Sequence, residues 1–95
     1  MKIGNKLKEF RILKEIDQGS FAIKCGISQT YLSQNENNKR HPNIEILRKI
    51  SDNLNIPFPV LCYLSLEEKD VPENRRKAFE MLNPSILSLI NSVYI

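Results

Sequence analysis

The sequence predicts an all-α fold. Three observations carry this reading. Apolar residues recur at spacings of three and four; Asp17, Ser28 and Asn43 stand just ahead of three such runs; and no segment shows the alternation of a half-buried strand. The chain has 95 residues, 41% hydrophobic and 26% charged. That bounds it to one domain, or one domain and a short appendage, large enough to fold without disulfides or metal.

The elements follow in chain order. Ile3, Leu7, Phe10, Leu13 and, loosely, Ile16 mark the apolar stripe of a first amphipathic helix, with Lys6, Lys8, Glu9, Arg11 and Lys14 around it. Asp17 caps a second helix over residues 18–25, whose inward face is Phe21, Ala22 and Cys25. Gly26 suits the left-handed position that ends it. Ser28 caps a third helix, running to about residue 35, with only Tyr31 and Leu32 to face a core. Its other side, Gln29, Thr30, Ser33 and Gln34, is uncharged amide and hydroxyl, suited to hydrogen bonding outside the protein. Residues 37–42 form a polar loop. Asn43 caps a fourth helix carrying Ile44, Ile46, Leu47, Ile50 and Leu54, and Asn55 ends it in the left-handed conformation.

Pro57 and Pro59 bracket a turn, and Val60, Leu61, Cys62 and Leu64 suggest a short fifth helix. A charged connector, residues 67–72, leads to a helix over 73–82. Asn83-Pro84 is a helix start signal, so a separate, very apolar last helix is expected, with Ile86, Leu87, Leu89, Ile90, Val93 and Tyr94 crowding one side. It either folds back on its own domain or, alone or together with Leu61 and Leu64, forms a dimer interface. The expected division is residues 1–66 as a first domain and 67–95 as a helical extension for dimerisation or partner binding.

Composition narrows the function. The net charge of +3 and pI of about 9.0 are a mild basic excess that suits a polyanionic partner. Cys25 and Cys62 form no CxxC pair and the single His41 completes no zinc set, so no metal or cofactor is expected. The cysteines read as small core hydrophobes in a reducing compartment. The N-terminus leads into no apolar signal segment, and no stretch reaches the ~20 apolar residues of a membrane span, so a cytoplasmic location is expected. No nucleophile–base pair can be assembled, so an enzyme is not expected.

Two short helices joined by a glycine turn, the second with an exposed polar face, make a helix-turn-helix arrangement. Residues 18–36 carry Gln18, Ala22, Gly26, Ile27-Ser28, Tyr31-Leu32-Ser33 and Glu36 in register. With residues 37–43 and 47–55, they resemble the Cro/C1-type (XRE-like) helix-turn-helix family over about residues 3–65. That family includes phage repressors, restriction-modification controllers and antitoxins. The resemblance implies a five-helix, lambda-repressor-like domain that binds double-stranded DNA as a dimer on a pseudo-palindromic operator. It implies base contacts for Gln29, Thr30, Ser33 and Gln34, and phosphate contacts for Gln18, Ser28, Asn37, Lys39 and Arg40. It implies an ion pair between Arg11 and Glu36.

There are departures from the family pattern. Asn35 replaces an apolar residue, so either the third helix is shorter or Asn35 bonds nearby backbone. Asp17 replaces Thr or Ser, Asn38 replaces Gly, and the apolar Ile23 is either exposed or touches the extension. The expected function is a transcriptional regulator, a repressor in the first instance. The alternative is an antitoxin whose C-terminal segment binds a toxin.

Overall fold

The computed structural model describes residues 2–95; Met1, the first residue of the expected N-terminal domain, lies outside them. Six α-helices follow one another: α1 (Ile3–Leu13), α2 (Gln18–Cys25), α3 (Gln29–Glu36), α4 (Ile44–Leu54), α5 (Phe58–Leu64) and α6 (Arg76–Tyr94). Two short 3-10 turns, Glu68–Asp70 and Glu73–Arg75, link α5 to α6. Among the described residues there is no strand, and no helix is long and apolar enough to cross a membrane.

The caps explain where the helices begin. The side chains of Asp17, Ser28 and Asn43 accept the backbone N–H of Ser20, Tyr31 and Ile46 at 2.8, 3.0 and 2.9 Å. Their ends share one device. After α1, α2, α3 and α4 a residue turns left-handed: Glu15 (φ 57°), Gly26 (φ 70°), Asn38 (φ 59°) and Asn55 (φ 56°). The next N–H then returns to a carbonyl five residues back: Ile16 to Arg11, Ile27 to Ala22, Lys39 to Gln34 and Ile56 to Ser51, at 2.9–3.2 Å. After three of these helices the returning residue is an isoleucine that packs into or against the core. After α3 it is the exposed Lys39, so the chain leaves α3 with a cation facing solvent.

The core joins the first five helices through Leu7, Phe10, Phe21, Leu32, Ile50, Leu54, Ile56 and Leu61. Cys25 is buried here too, and burial pushes its thiol up to about 11, which suits a packing role. The buried face of α1 is Ile3, Gly4, Leu7, Phe10 and Arg11. Leu13, expected on that stripe, is exposed, because the face leans toward α3, where Arg11 finds its partner.

Three corrections concern the chain from residue 61 onward. The expected break at Asn83-Pro84 does not occur: α6 runs unbroken from Arg76, with Pro84 inside it. Asn83 is not a cap because its Oδ1 accepts the Tyr63 hydroxyl at 2.6 Å, which ties α6 to α5. Proline costs the helix one N–H, which this tertiary contact helps to offset. Residues 73–75, expected in a helix, form the second 3-10 turn. The third correction is Leu61. It was expected at a dimer interface but is fully buried in the core of its own chain, where no second protomer could reach it.

Candidate nucleic-acid interface

The site begins with a buried ion pair. Arg11 Nε donates to Glu36 Oε2 at 2.7 Å and its Nη2 to Oε1 at 3.1 Å, a two-pronged geometry, while Nη1 holds the Ile16 carbonyl at 2.8 Å. Both side chains are nearly inaccessible to water. One guanidinium thereby fixes the last residue of α3 and the turn that opens α2.

The chain of hydrogen bonds continues outward. Gln18 Nε2 donates to Glu36 Oε1 at 3.1 Å, and Gln18 Oε1 accepts from Gln29 Nε2 at 3.3 Å. Gln18, expected at a phosphate, is therefore also a buttress for Gln29. Gln29 keeps its carbonyl oxygen and one N–H for a further partner, the pair that an amide needs for adenine N6 and N7. Gln18, Gln29, Thr30, Ser33 and Gln34 together line an open depression of about 320 Å³. Thus the four residues expected at base edges share one face.

The backbone-contact candidates lie around it. Ser28 caps α3 and its oxygen accepts the Tyr31 N–H at 3.0 Å. Asn37, Lys39 and Arg40 are exposed just beyond the C-terminus of α3. The Asn37 amide lies 3.5 Å from the Ser33 hydroxyl. Asp17 sits at the edge, its carboxyl held below the usual carboxylate range by the backbone N–H and then the hydroxyl of Ser20.

Several participants were missed from sequence. Asn38 Oδ1 accepts the Gly4 N–H at 3.1 Å and its Nδ2 donates to Asn5 Oδ1 at 2.8 Å, so α1 clamps the turn after α3. Gly4 is there because a side chain would run into the Asn35 carbonyl oxygen and, at 2.6 Å, Asn38 Oδ1. Its place on the apolar stripe of α1 was the available signal. Tyr31, expected to face the core, is only half-buried, and the Arg40 guanidinium carbon lies 5.0 Å from its ring centroid. Asn35 resolves differently from either expectation. The helix runs on through Glu36, Asn35 is buried, and neither atom of its amide has a hydrogen-bond partner among the described residues. Ile23 is exposed.

Two short helices crossing at a left-handed glycine, the second presenting a rigid polar face, define a helix-turn-helix module of the DNA-binding class. The chain belongs to the Cro/C1-type (XRE-like) family: the family model described as "Helix-turn-helix" matches residues 7–61. It is 42% identical over 62 residues to the control protein C.MunI of Mycoplasma sp, covering 64% of this chain and 84% of that one. It is 35% identical over 72 residues to the HTH-type transcriptional regulator SinR of Bacillus licheniformis, covering 75% of this chain and 61% of that relative. Among solved structures, SinR in complex with DNA matches with a TM-score of 0.60 at 33% identity, over 63% of this chain and 97% of that one. A complex of SinR with SinI matches with a TM-score of 0.62 at 27% identity, over 87% of this chain and 80% of that one.

Proposed function

We propose that this protein is a cytoplasmic transcriptional regulator, a repressor, that binds a pseudo-palindromic DNA operator as a homodimer. One observation carries the reading. Gln29, Thr30, Ser33 and Gln34 converge on one open polar face whose helix is held at both ends, by Gln18 and by the Arg11–Glu36 pair. A rigid, uncharged face of donors and acceptors suits base edges in the major groove, where charge alone would carry no sequence information. Gln18, Ser28, Asn37, Lys39 and Arg40 would grip the flanking phosphates. The likeness to a DNA-bound relative and to a control protein supports the same reading.

The dimer surface of the proposal is α6. Leu82, Ile86, Leu89 and Val93 follow one another at spacings of four, three and four, the seam of a two-helix contact, and all are exposed. From residue 81 onward the helix has no charged side chain. The side of α6 next to this seam faces its own chain: Ile90 is buried and Leu87 and Tyr94 are half-buried, while Leu64 of α5 packs against the core. Of the expected interface residues, Ile86, Leu89 and Val93 thus remain available, and Leu82 joins them. Residues 67–95 keep the role of assembly segment.

A second reading concerns the same seam. The likeness to the SinR–SinI complex reaches further along this chain than the likeness to the DNA complex. A different protein, such as a toxin in an antitoxin arrangement, would then cover α6.

The test is selection of duplexes from a random pool by the purified protein, followed by titration at near-physiological salt, with sedimentation measured in parallel. A single enriched two-fold symmetric sequence, bound by dimers, is expected. Leu89→Glu should give monomers that bind it at least tenfold more weakly. A dimeric protein that enriches no sequence would refute the reading. A wild-type monomer would favour the second.

A further inference from the structure

We propose that Tyr31 is a positioning residue for Arg40, its ring holding the guanidinium beside the base-reading face so that the loop arginine meets the DNA backbone already oriented. The inference rests on the reading of α3 as the helix that enters the groove.

The geometry of α3 places two residues on the flanks of its reading face. At about 100° per residue, Gln29 lies to one side of Thr30 and Tyr31 to the other. The Gln29 flank is held by Gln18. On the Tyr31 flank the chain itself returns. Asn38 turns left-handed, and the backbone N–H groups of Lys39 and Arg40 both donate to the Gln34 carbonyl, at 2.9 and 3.2 Å. These two hydrogen bonds to one acceptor hold the backbone of Arg40 against the C-terminal end of α3, and the guanidinium carbon settles 5.0 Å from the Tyr31 ring centroid.

The chemistry follows from the shape of the guanidinium. Stacking engages its face, through the ring quadrupole, and leaves the N–H fork at its edge for two phosphate oxygens. A long exposed side chain otherwise loses rotamer freedom when it grips a phosphate. A ring that already restrains it lowers that loss without touching DNA. Lys39, one residue earlier, is exposed and has no such ring among the described residues, so the two loop cations are unequal in preorganisation.

The test is a double-mutant cycle on two duplexes, one selected by the wild-type protein from a random pool and one of unrelated sequence. Tyr31→Leu is expected to weaken both about two- to fivefold, the size of an exposed cation–π contact. Tyr31→Phe is expected to keep wild-type affinity. In an Arg40→Ala background Tyr31→Leu is expected to add nothing, and that comparison cancels any folding loss common to both proteins. Independently of DNA, the Arg40 side-chain protons of the free protein should show an upfield ring-current shift that Tyr31→Phe keeps and Tyr31→Leu abolishes. Additive losses would overturn the inference, as would a Tyr31→Phe protein as weak as Tyr31→Leu, which would assign the effect to the hydroxyl. A wild-type protein that binds neither duplex would overturn the DNA reading itself, and this inference with it. Binding that Tyr31→Leu leaves intact would overturn the inference alone.

Discussion

Replacing Asn35 with leucine should make this protein more stable, against the usual direction of core substitutions. Asn35 is 1% exposed, and both polar atoms of its amide lack a hydrogen-bond partner among the described residues. An unsatisfied buried polar group costs about 1–3 kcal/mol. Leucine has nearly the same shape, so the change opens no cavity and forces little repacking. It also adds apolar contact with the core around Leu32. A gain of about 2 kcal/mol is therefore expected, a sizeable share of the ~5–15 kcal/mol typical of a domain. For a domain of this size that corresponds to a melting temperature higher by about 8–16 °C. Thermal and urea denaturation, followed by circular dichroism at one fixed protein concentration, would read it, with an unchanged m-value indicating a pure stability effect. A Tm unchanged or lowered would refute the reasoning. It would mean that an internal water satisfies the amide, or that the pocket is shaped for it.

Three further predictions concern the frame of the site. Arg11→Met should cost on the order of 3–5 kcal/mol, because it strands the Glu36 carboxylate in a buried position. The double variant Arg11→Met/Glu36→Leu should be more stable than Arg11→Met alone, and equal or lower stability would show that the pair is not the source of the loss. Gly4→Ala should destabilise by about 1–3 kcal/mol, since its methyl group meets the Asn35 carbonyl oxygen, and should weaken DNA binding by moving the turn after α3. Calorimetry showing a neutral or stabilising change would contradict that close approach. Glu15→Gly should stabilise by about 0.5–1 kcal/mol, because Glu15 holds the left-handed position at the end of α1, and a lower Tm would count against it.

The polar face of α3 was legible in advance because its signals are local. A cap at Ser28, a glycine turn and a helix with little apolar surface can be read from neighbouring residues alone. Asn35 was noticed as an exception, but the sequence could not say whether its amide would find a partner. That depends on atoms brought in by other helices. Tyr31 was assigned to the core by residue type, yet its helical position puts it on a flank where a loop cation can reach it.

By itself the sequence determined the all-α class, the first five helices, the caps at Asp17, Ser28 and Asn43, and the grouping of polar side chains on α3. Periodicity and capping act within a few residues, so they survive without knowledge of packing. Only the tertiary structure decided that α6 continues through Pro84, because Tyr63 engages Asn83 across 20 residues of chain. Only it separated the core-facing Leu61 and Ile90 from the exposed Leu82, Ile86, Leu89 and Val93. An apolar residue carries the same hydrophobic drive wherever it stands, and only neighbours distant in sequence decide which side of the helix is already covered.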